Sequence, residues 1–285
     1  MSIVYLNGNY MPIEQASISP LDRGFLFGDG IYEVIPAYDG KMVGFGPHID
    51  RMIEGLSALE IELNWSHKEW RQVCEQLIER NPAPQVGLYL HVTRGADTKR
   101  HHPYPKGVAP TVFAMPTEIP AAPIPERDKV HAYKVTSMQD QRWQRCNIKS
   151  ISLLGNVMHY QQGYSQGSGE VLLFNGNDEL TECGACNAYI VKNGRVITPA
   201  LDHQILPGIT RLIALGVLRA DGSIPVEERA ITKQEVFDAD EIWISSSSKE
   251  IAPVIELDGQ PVGDGKPGVI WEQAAKLYSA GKFNY

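Results

Sequence analysis

Apolar and polar residues alternate through the first dozen positions around Asn7-Gly8-Asn9, which predicts a β-hairpin. The device repeats at residues 31–45, where Asp39-Gly40 supplies the turn. The period then changes. Ile49, Met52, Ile53, Leu56 and Leu59 recur at helical spacing, which predicts a helix over about 47–59. HKEWRQVCEQLIER places Trp70, Val73, Leu77 and Ile78 on one helical face and stops at Asn81-Pro82. VGLYLHVTRG and TVFAMPTE read as strands. Residues 119–125 read IPAAPIP, a proline density that disfavours both helix and central strand and predicts an extended linker.

The second half opens on the strand HAYKVTSM and a helix over SLLGNVMHYQQGYSQG. EVLLFN is a strand, and AYIVKNGRVITP a hairpin turning on Asn193-Gly194. Helices are expected at GITRLIALGVLRA and TKQEVFDA, and EIWISSSS reads as a strand ending in hydroxyls. A hairpin, PVIELDGQPVG, and a terminal helix, WEQAAKLYSAGK, complete the chain. Strands followed by helices in each half predict an α/β chain of mixed α+β type, not regular βαβ alternation. The expected division is a small N-terminal α/β domain over 1–118, a linker over 119–130 and a larger C-terminal α/β domain over 131–285.

Composition narrows the function classes. The 285 residues carry a formal charge of −8, which argues against nonspecific nucleic-acid binding. Four cysteines are too few for a disulfide framework. The start has no basic, apolar leader pattern, and no apolar run reaches the roughly 20 residues of a membrane span, so a cytoplasmic location is expected. There is no GxGxxG after a strand, no HExxH and no GxSxG. GQPVGDGKP resembles a phosphate loop only superficially, with Pro267 where Ser or Thr should follow Lys266. Cys183 and Cys186 form a lone C-x-x-C without the further ligands a metal needs, and read best as small buried hydrophobes. No metal site is expected.

Several features suit an anion. Gly208-Ile209-Thr210 opens a helix, where free amides bind phosphate or simply form a cap. Ser245–Ser248 could wall a phosphate cup or form a polar loop. His48 and Arg51 share a helical face, and an arginine fork suits phosphate. Arg142-Trp143-Gln144-Arg145-Cys146-Asn147-Ile148-Lys149-Ser150 mixes cations with apolar residues, a setting that activates a lysine or lets it snorkel to solvent. Spacing alone does not single out Lys149.

Taken in order, DRGFLFGDGIYEV, HIDR, VTRG, RWQRCNIKS, ELTECGACN, LPGITR and EIWISSSSKEI resemble the fold-type IV pyridoxal-phosphate (PLP) enzymes, and within them the D-amino-acid aminotransferases. The resemblance runs along nearly the whole chain. It implies two α/β domains with the active site in the cleft between them. It implies PLP joined to Lys149 as a Schiff base and Glu182 facing the pyridine nitrogen. Arg51, the helix-start amides of Ile209 and Thr210, and Ser247 would hold the phosphate, with Leu206 packed on the ring. Tyr32 and Val34 would line the substrate, and Arg100 and His102 would grip its carboxylate from a neighbouring subunit's loop, so a homodimer is implied. The implied reaction transfers the amino group of a D-amino acid such as D-alanine to a 2-oxo acid such as 2-oxoglutarate, through pyridoxamine phosphate. Branched-chain L-amino-acid aminotransferase, (R)-amine transaminase, aminodeoxychorismate lyase and a PLP-binding module without turnover are the competing readings. Two departures stand out. Glu182-Cys183-Gly184-Ala185-Cys186-Asn187 replaces a serine-rich stretch, which suggests sensitivity to oxidation, and the Arg100–His102 loop is one residue longer than the pattern.

Overall fold

The computed structural model describes residues 2–285, and the chain divides into two compact units. The first comprises the residues up to Ala121 together with Ile148–Leu153. Its elements are β1 (Ile3–Leu6), β2 (Asn9–Pro12), α1 (Arg23–Phe27), β3 (Gly30–Tyr38), β4 (Lys41–Met42), α2 (Phe45–Ala58), α3 (His67–Arg80), β5 (Gln85–Thr93) and β6 (Thr111–Thr117). Six strands form one antiparallel sheet in the order β2-β1-β6-β5-β3-β4. The first hairpin turns where Asn7 (φ 46°) and Gly8 (φ 95°) enter the left-handed region, the twist that matches right-handed strands.

Alternation along β3 sets the two faces of this sheet. Ile31, Glu33 and Ile35 point to the buried side, and Tyr32 and Val34 to the half-exposed side. The buried side packs with Ile49, Met52 and Leu56 of α2 and Trp70, Val73 and Leu77 of α3. A capping box between Ser66 and Glu69 starts α3, and Asn81 ends it.

The second unit comprises Ala122–Asn147 and Leu154–Tyr285. It holds β7 (Tyr133–Gln139), α4 (Leu154–Ser165), β8 (Glu170–Phe174), β9 (Leu180–Cys183), β10 (Asn187–Lys192), β11 (Arg195–Thr198), α5 (Ile209–Asp221), β12 (Val226–Glu228), α6 (Lys233–Phe237), β13 (Glu241–Ser246), β14 (Glu250–Leu257), β15 (Gln260–Pro261) and α7 (Val269–Gly281). Its nine-stranded sheet runs β12-β11-β10-β13-β14-β7-β8-β9, with β15 paired to β14. The sheet is mixed, because β11/β12, β14/β7 and β7/β8 are parallel. Its core includes Val135, Leu172, Phe174, Ile190, Ile242, Ile244 and Val254. The architecture is the mixed α+β class that the hydrophobic pattern predicts.

One difference from the expected division matters for function. Residues 148–153 were expected with the C-terminal domain but group with the first unit. The reason is local pairing. Tyr32 N–H donates to Lys149 O (3.0 Å), Ile151 N–H to Gly30 O (3.0 Å), and Ser152 Oγ to Gly28 O (2.9 Å). Ile148 is buried in the first core. Short elements that the periodicity did not reveal, α1, β9 and β12, are too brief to carry a pattern.

Leu88 is fully buried in a central strand of the first sheet. Leu88→Ala is expected to cost about 2–5 kcal/mol, lowering the urea midpoint of cofactor-free protein with little change of slope.

Candidate active site

In the first unit, Lys149 is held by its own backbone bond to Tyr32, so its side chain rises beside that residue. Lys149 Nζ lies 4.2 Å from the centre of the Tyr32 ring. No ion pair engages it among the described residues. Tyr32 sits on the same face of the sheet as its register partner His91 and as Tyr89, the register partner of Val34. The Tyr32 and Tyr89 rings are 5.8 Å apart, and Tyr89 Oη is 2.7 Å from His91 Nδ1. Burial pushes the Tyr89 hydroxyl up to about 12 and the His91 imidazole down, which keeps both neutral.

The other face carries a buried charge cluster. Arg51 Nε and Nη2 donate to the two oxygens of Glu33 at 2.7 and 2.8 Å, and His48 Nδ1 lies 2.7 Å from Glu33 Oε2. Burial alone would raise the Glu33 carboxyl, but Arg51 and His48 outweigh it and hold the group well below the usual range. Burial lowers His48, against the pull of Glu33. Sequence reasoning named Arg51 and His48 but missed Glu33, although the pattern of β3 puts it inward. Arg51 is therefore a guanidinium already locked by a carboxylate.

Arg100 and His102 lie on the exposed segment between β5 and β6. Both approach one ring: the Arg100 guanidinium carbon is 5.0 Å from the Phe27 centroid and the His102 ring 5.4 Å from it.

In the second unit, Glu182 is buried at the end of β9. Arg142 Nη1 donates to Glu182 Oε1, while Leu206 N–H (3.0 Å) and Asn187 Nδ2 (3.3 Å) donate to Oε2. Arg142 is in turn gripped by Asp140, through Nε at 3.0 Å and Nη2 at 2.7 Å. Burial pushes the Glu182 carboxyl up to about 7, against the lowering effect of Arg142. Three donors occupy a carboxylate with about four acceptor positions, which leaves room for one more N–H.

Asn187 joins the parts of this half. Besides Glu182, it donates to Leu206 O at 2.9 Å, and a Cβ on Gly208 would stand 2.0 Å from its Oδ1. Only glycine fits there. Gly208 caps α5 with an extended backbone, so Ile209 and Thr210, both buried, begin the helix with their amides unused by the first turn. Asn187 also pairs in register with Ser245, where β13 runs into the serine loop. Ser247 is half-buried in that loop. Asn187 and Arg142 went unrecognised in the sequence as positioning groups; the RWQRC and ECGACN motifs that contain them were the available signal.

Cys183 and Cys186 are free, buried thiols. Cys186 Sγ lies 3.3 Å from Glu170 Oε2, and burial drives both thiols well above their usual range. A suppressed thiolate reacts slowly, so the expected sensitivity to oxidation finds no physical basis in this geometry.

The chain is similar to known proteins over most of its length. The amino-transferase class IV family model matches residues 30–257. D-alanine aminotransferase of Listeria monocytogenes serotype 1/2a (strain 10403S) is 37% identical over 279 residues, covering 96% of this chain and 94% of the relative. D-alanine aminotransferase of Staphylococcus haemolyticus is 35% identical over 274 residues, covering 96% and 95%. Among solved structures, the branched-chain amino acid aminotransferase of Escherichia coli superposes with a TM-score of 0.90 at 20% identity, covering 99% of this chain and 94% of that one. A PLP-bound hypothetical aminotransferase from Mycobacterium tuberculosis gives 0.84 at 21% identity, covering 98% of each. The chain belongs to the class IV amino-transferase family. No helix among the described residues is long and apolar enough to cross a membrane.

Two variants should respond to pH in opposite directions. Glu33 has a lowered carboxyl, so its contribution is present above the unfolded value of 4.5 and is lost as pH falls below it. Glu33→Gln should cost about 3–5 kcal/mol at neutral pH, with the gap from native protein closing in acid. Glu182 is raised from 4.5 to about 7, so its contribution is present below 4.5 and is lost as pH rises through 7. The stability of native, cofactor-free protein relative to Glu182→Gln should therefore fall over that window. Urea midpoints at several pH values measure both.

Proposed function

We propose that this chain is a PLP-dependent aminotransferase that takes the amino group of D-amino acids such as D-alanine and passes it to a 2-oxo acid such as 2-oxoglutarate. The observation that carries the reading is the Lys149 amine, fixed against Tyr32 by a backbone bond and left without an acid partner among the described residues. The D-amino-acid choice is supported by relatives at 34–38% identity over nearly the whole chain. The branched-chain structures are similar in fold at 18–21% identity.

The residues fit PLP. Lys149 offers a primary amine to its aldehyde. Glu182 offers a buried carboxylate with an acceptor position left for a ring N–H. The α5 start at Ile209 and Thr210, Ser247 and the Glu33-locked Arg51 would hold a phosphate, with Leu206 against the ring. When bound, PLP supplies an electron sink for the charge left when the substrate loses its α-proton.

The chain's own groups do the rest. Lys149 Nζ would take the proton from the substrate Cα as a base and return it as an acid. Arg142 and Asn187 hold the Glu182 carboxylate in place, so its remaining acceptor position would face a ring N–H at a fixed point. Tyr32 and Val34 line the face on which Lys149 acts. Arg100 and His102 would bind the substrate carboxylate, reaching a neighbouring protomer's site in a homodimer. A cytoplasmic setting is part of the proposal, and the four free cysteines support it.

Lys149→Ala should lower turnover of D-alanine by at least ~10²–10⁴-fold and abolish borohydride trapping of PLP on the chain. Unchanged trapping would overturn the assignment, and turnover of L-leucine in preference to D-alanine would overturn the substrate class. Arg100→Ala should raise the KM for D-alanine about tenfold or more, the cost of a charge-assisted hydrogen bond, with a smaller effect on kcat.

A further inference from the structure

Residues 97–107, which carry Arg100 and His102, make no backbone–backbone hydrogen bond among the described residues. A long loop without backbone–backbone bonds has little fixed shape of its own. A buried arginine is the main hold on this one. Arg23, 4% exposed, donates from Nη1 to His101 O at 2.5 Å and to Pro103 O at 3.5 Å, and from Nη2 to His102 O at 3.0 Å. Its remaining donor, Nε, goes to Asp29 Oδ2 at 2.7 Å.

Asp29 is the pivot. The same carboxylate accepts from Arg94 Nε at 2.8 Å and Nη2 at 3.0 Å. Arg94 is itself tied to the end of α2, through Leu59 O at 2.6 Å and Glu60 O at 2.9 Å. Its guanidinium also stacks on the Tyr104 ring at 3.5 Å, a second grip on the loop. Phe27 completes the device, with Arg23, Arg100 and His102 all against its ring at 4.8, 5.0 and 5.4 Å. The loop's position is thus transmitted from a helix end, through Asp29, to three consecutive carbonyls and one aromatic ring.

We propose that Arg23, Asp29 and Phe27 are positioning residues that fix Arg100 and His102 and thereby set how tightly the enzyme holds the substrate carboxylate. This rests on the reading of Arg100 and His102 as the carboxylate grip. Arg23 and Asp29 need touch neither substrate nor cofactor. The fork of Arg23 is what matters: a lysine keeps the charge beside Asp29 but cannot reach three carbonyls from a planar group.

The test uses PLP-loaded Arg23→Lys and Phe27→Leu, with Arg100→Ala as reference. In each, KM and kcat for D-alanine are measured with the rate of trypsin cleavage at Lys99, Arg100 and Lys106. Arg23→Lys and Phe27→Leu should each raise KM about tenfold, leave kcat within about twofold, and speed loop cleavage severalfold, by more than any fall in the urea midpoint accounts for. A KM within twofold of native in both variants overturns the proposal, as does a parallel loss of kcat and urea midpoint with unchanged loop cleavage. If Arg100→Ala itself leaves KM unaltered, the carboxylate-grip reading fails. If Arg100→Ala raises KM and Arg23→Lys does not, the positioning proposal alone fails.

Discussion

A carboxylate taken out of water must find a cation or several N–H donors, and this requirement organises the functional parts of the chain. Two buried carboxylates and a third that is mostly covered meet it with arginine. Glu33 takes the fork of Arg51, Glu182 is bound by Arg142, and Asp29 is shared by Arg23 and Arg94. In each case the arginine becomes a rigid, pre-aimed group, because a guanidinium held at two or more positions has little rotamer freedom left.

The three pairs do different chemical work because their surroundings differ. Glu33 is opposed by a fork and an imidazole, so it stays ionised, and Arg51 is held as the other half of a buried ion pair. Glu182 lies so deep that burial outweighs its single arginine, and its carboxyl moves up to about 7. Asp29 links two arginines, and its role is mechanical: it joins the end of α2 to a loop that lacks backbone–backbone bonds. The same residue types thus yield a locked ion pair, a carboxyl raised toward neutrality and a strut.

Much of the architecture was legible in order along the chain. The helix over His67–Arg80 follows from Ser66, Trp70, Val73, Leu77 and the Asn81-Pro82 stop, all local signals. The hairpins at Asn7-Gly8 and Asn193-Gly194 follow from turn chemistry that needs no distant partner. Lys149 and Glu182 were legible only through resemblance, since neither spacing nor composition separates one lysine or one glutamate from another. Arg142, Asn187, Glu33 and Asp29 were not singled out, because their importance lies in what they touch. Asn187 is one asparagine in a strand until Leu206, Gly208 and Glu182 are brought around it.

The sequence by itself determined where strands, helices and turns begin, which faces are apolar, and which family the ordered motifs resemble. These depend on periodicities of two and 3.6 residues and on turn residues whose preferences act within a few positions. Only the tertiary structure decided that Ile148–Leu153 leaves its sequence neighbours to pair with the start of β3, carrying Lys149 to Tyr32. It alone decided which carboxylate each buried arginine serves. Both outcomes turn on contacts between residues far apart in the chain, such as Lys149 with Tyr32 and Arg94 with Asp29, and no local pattern encodes a choice among distant partners.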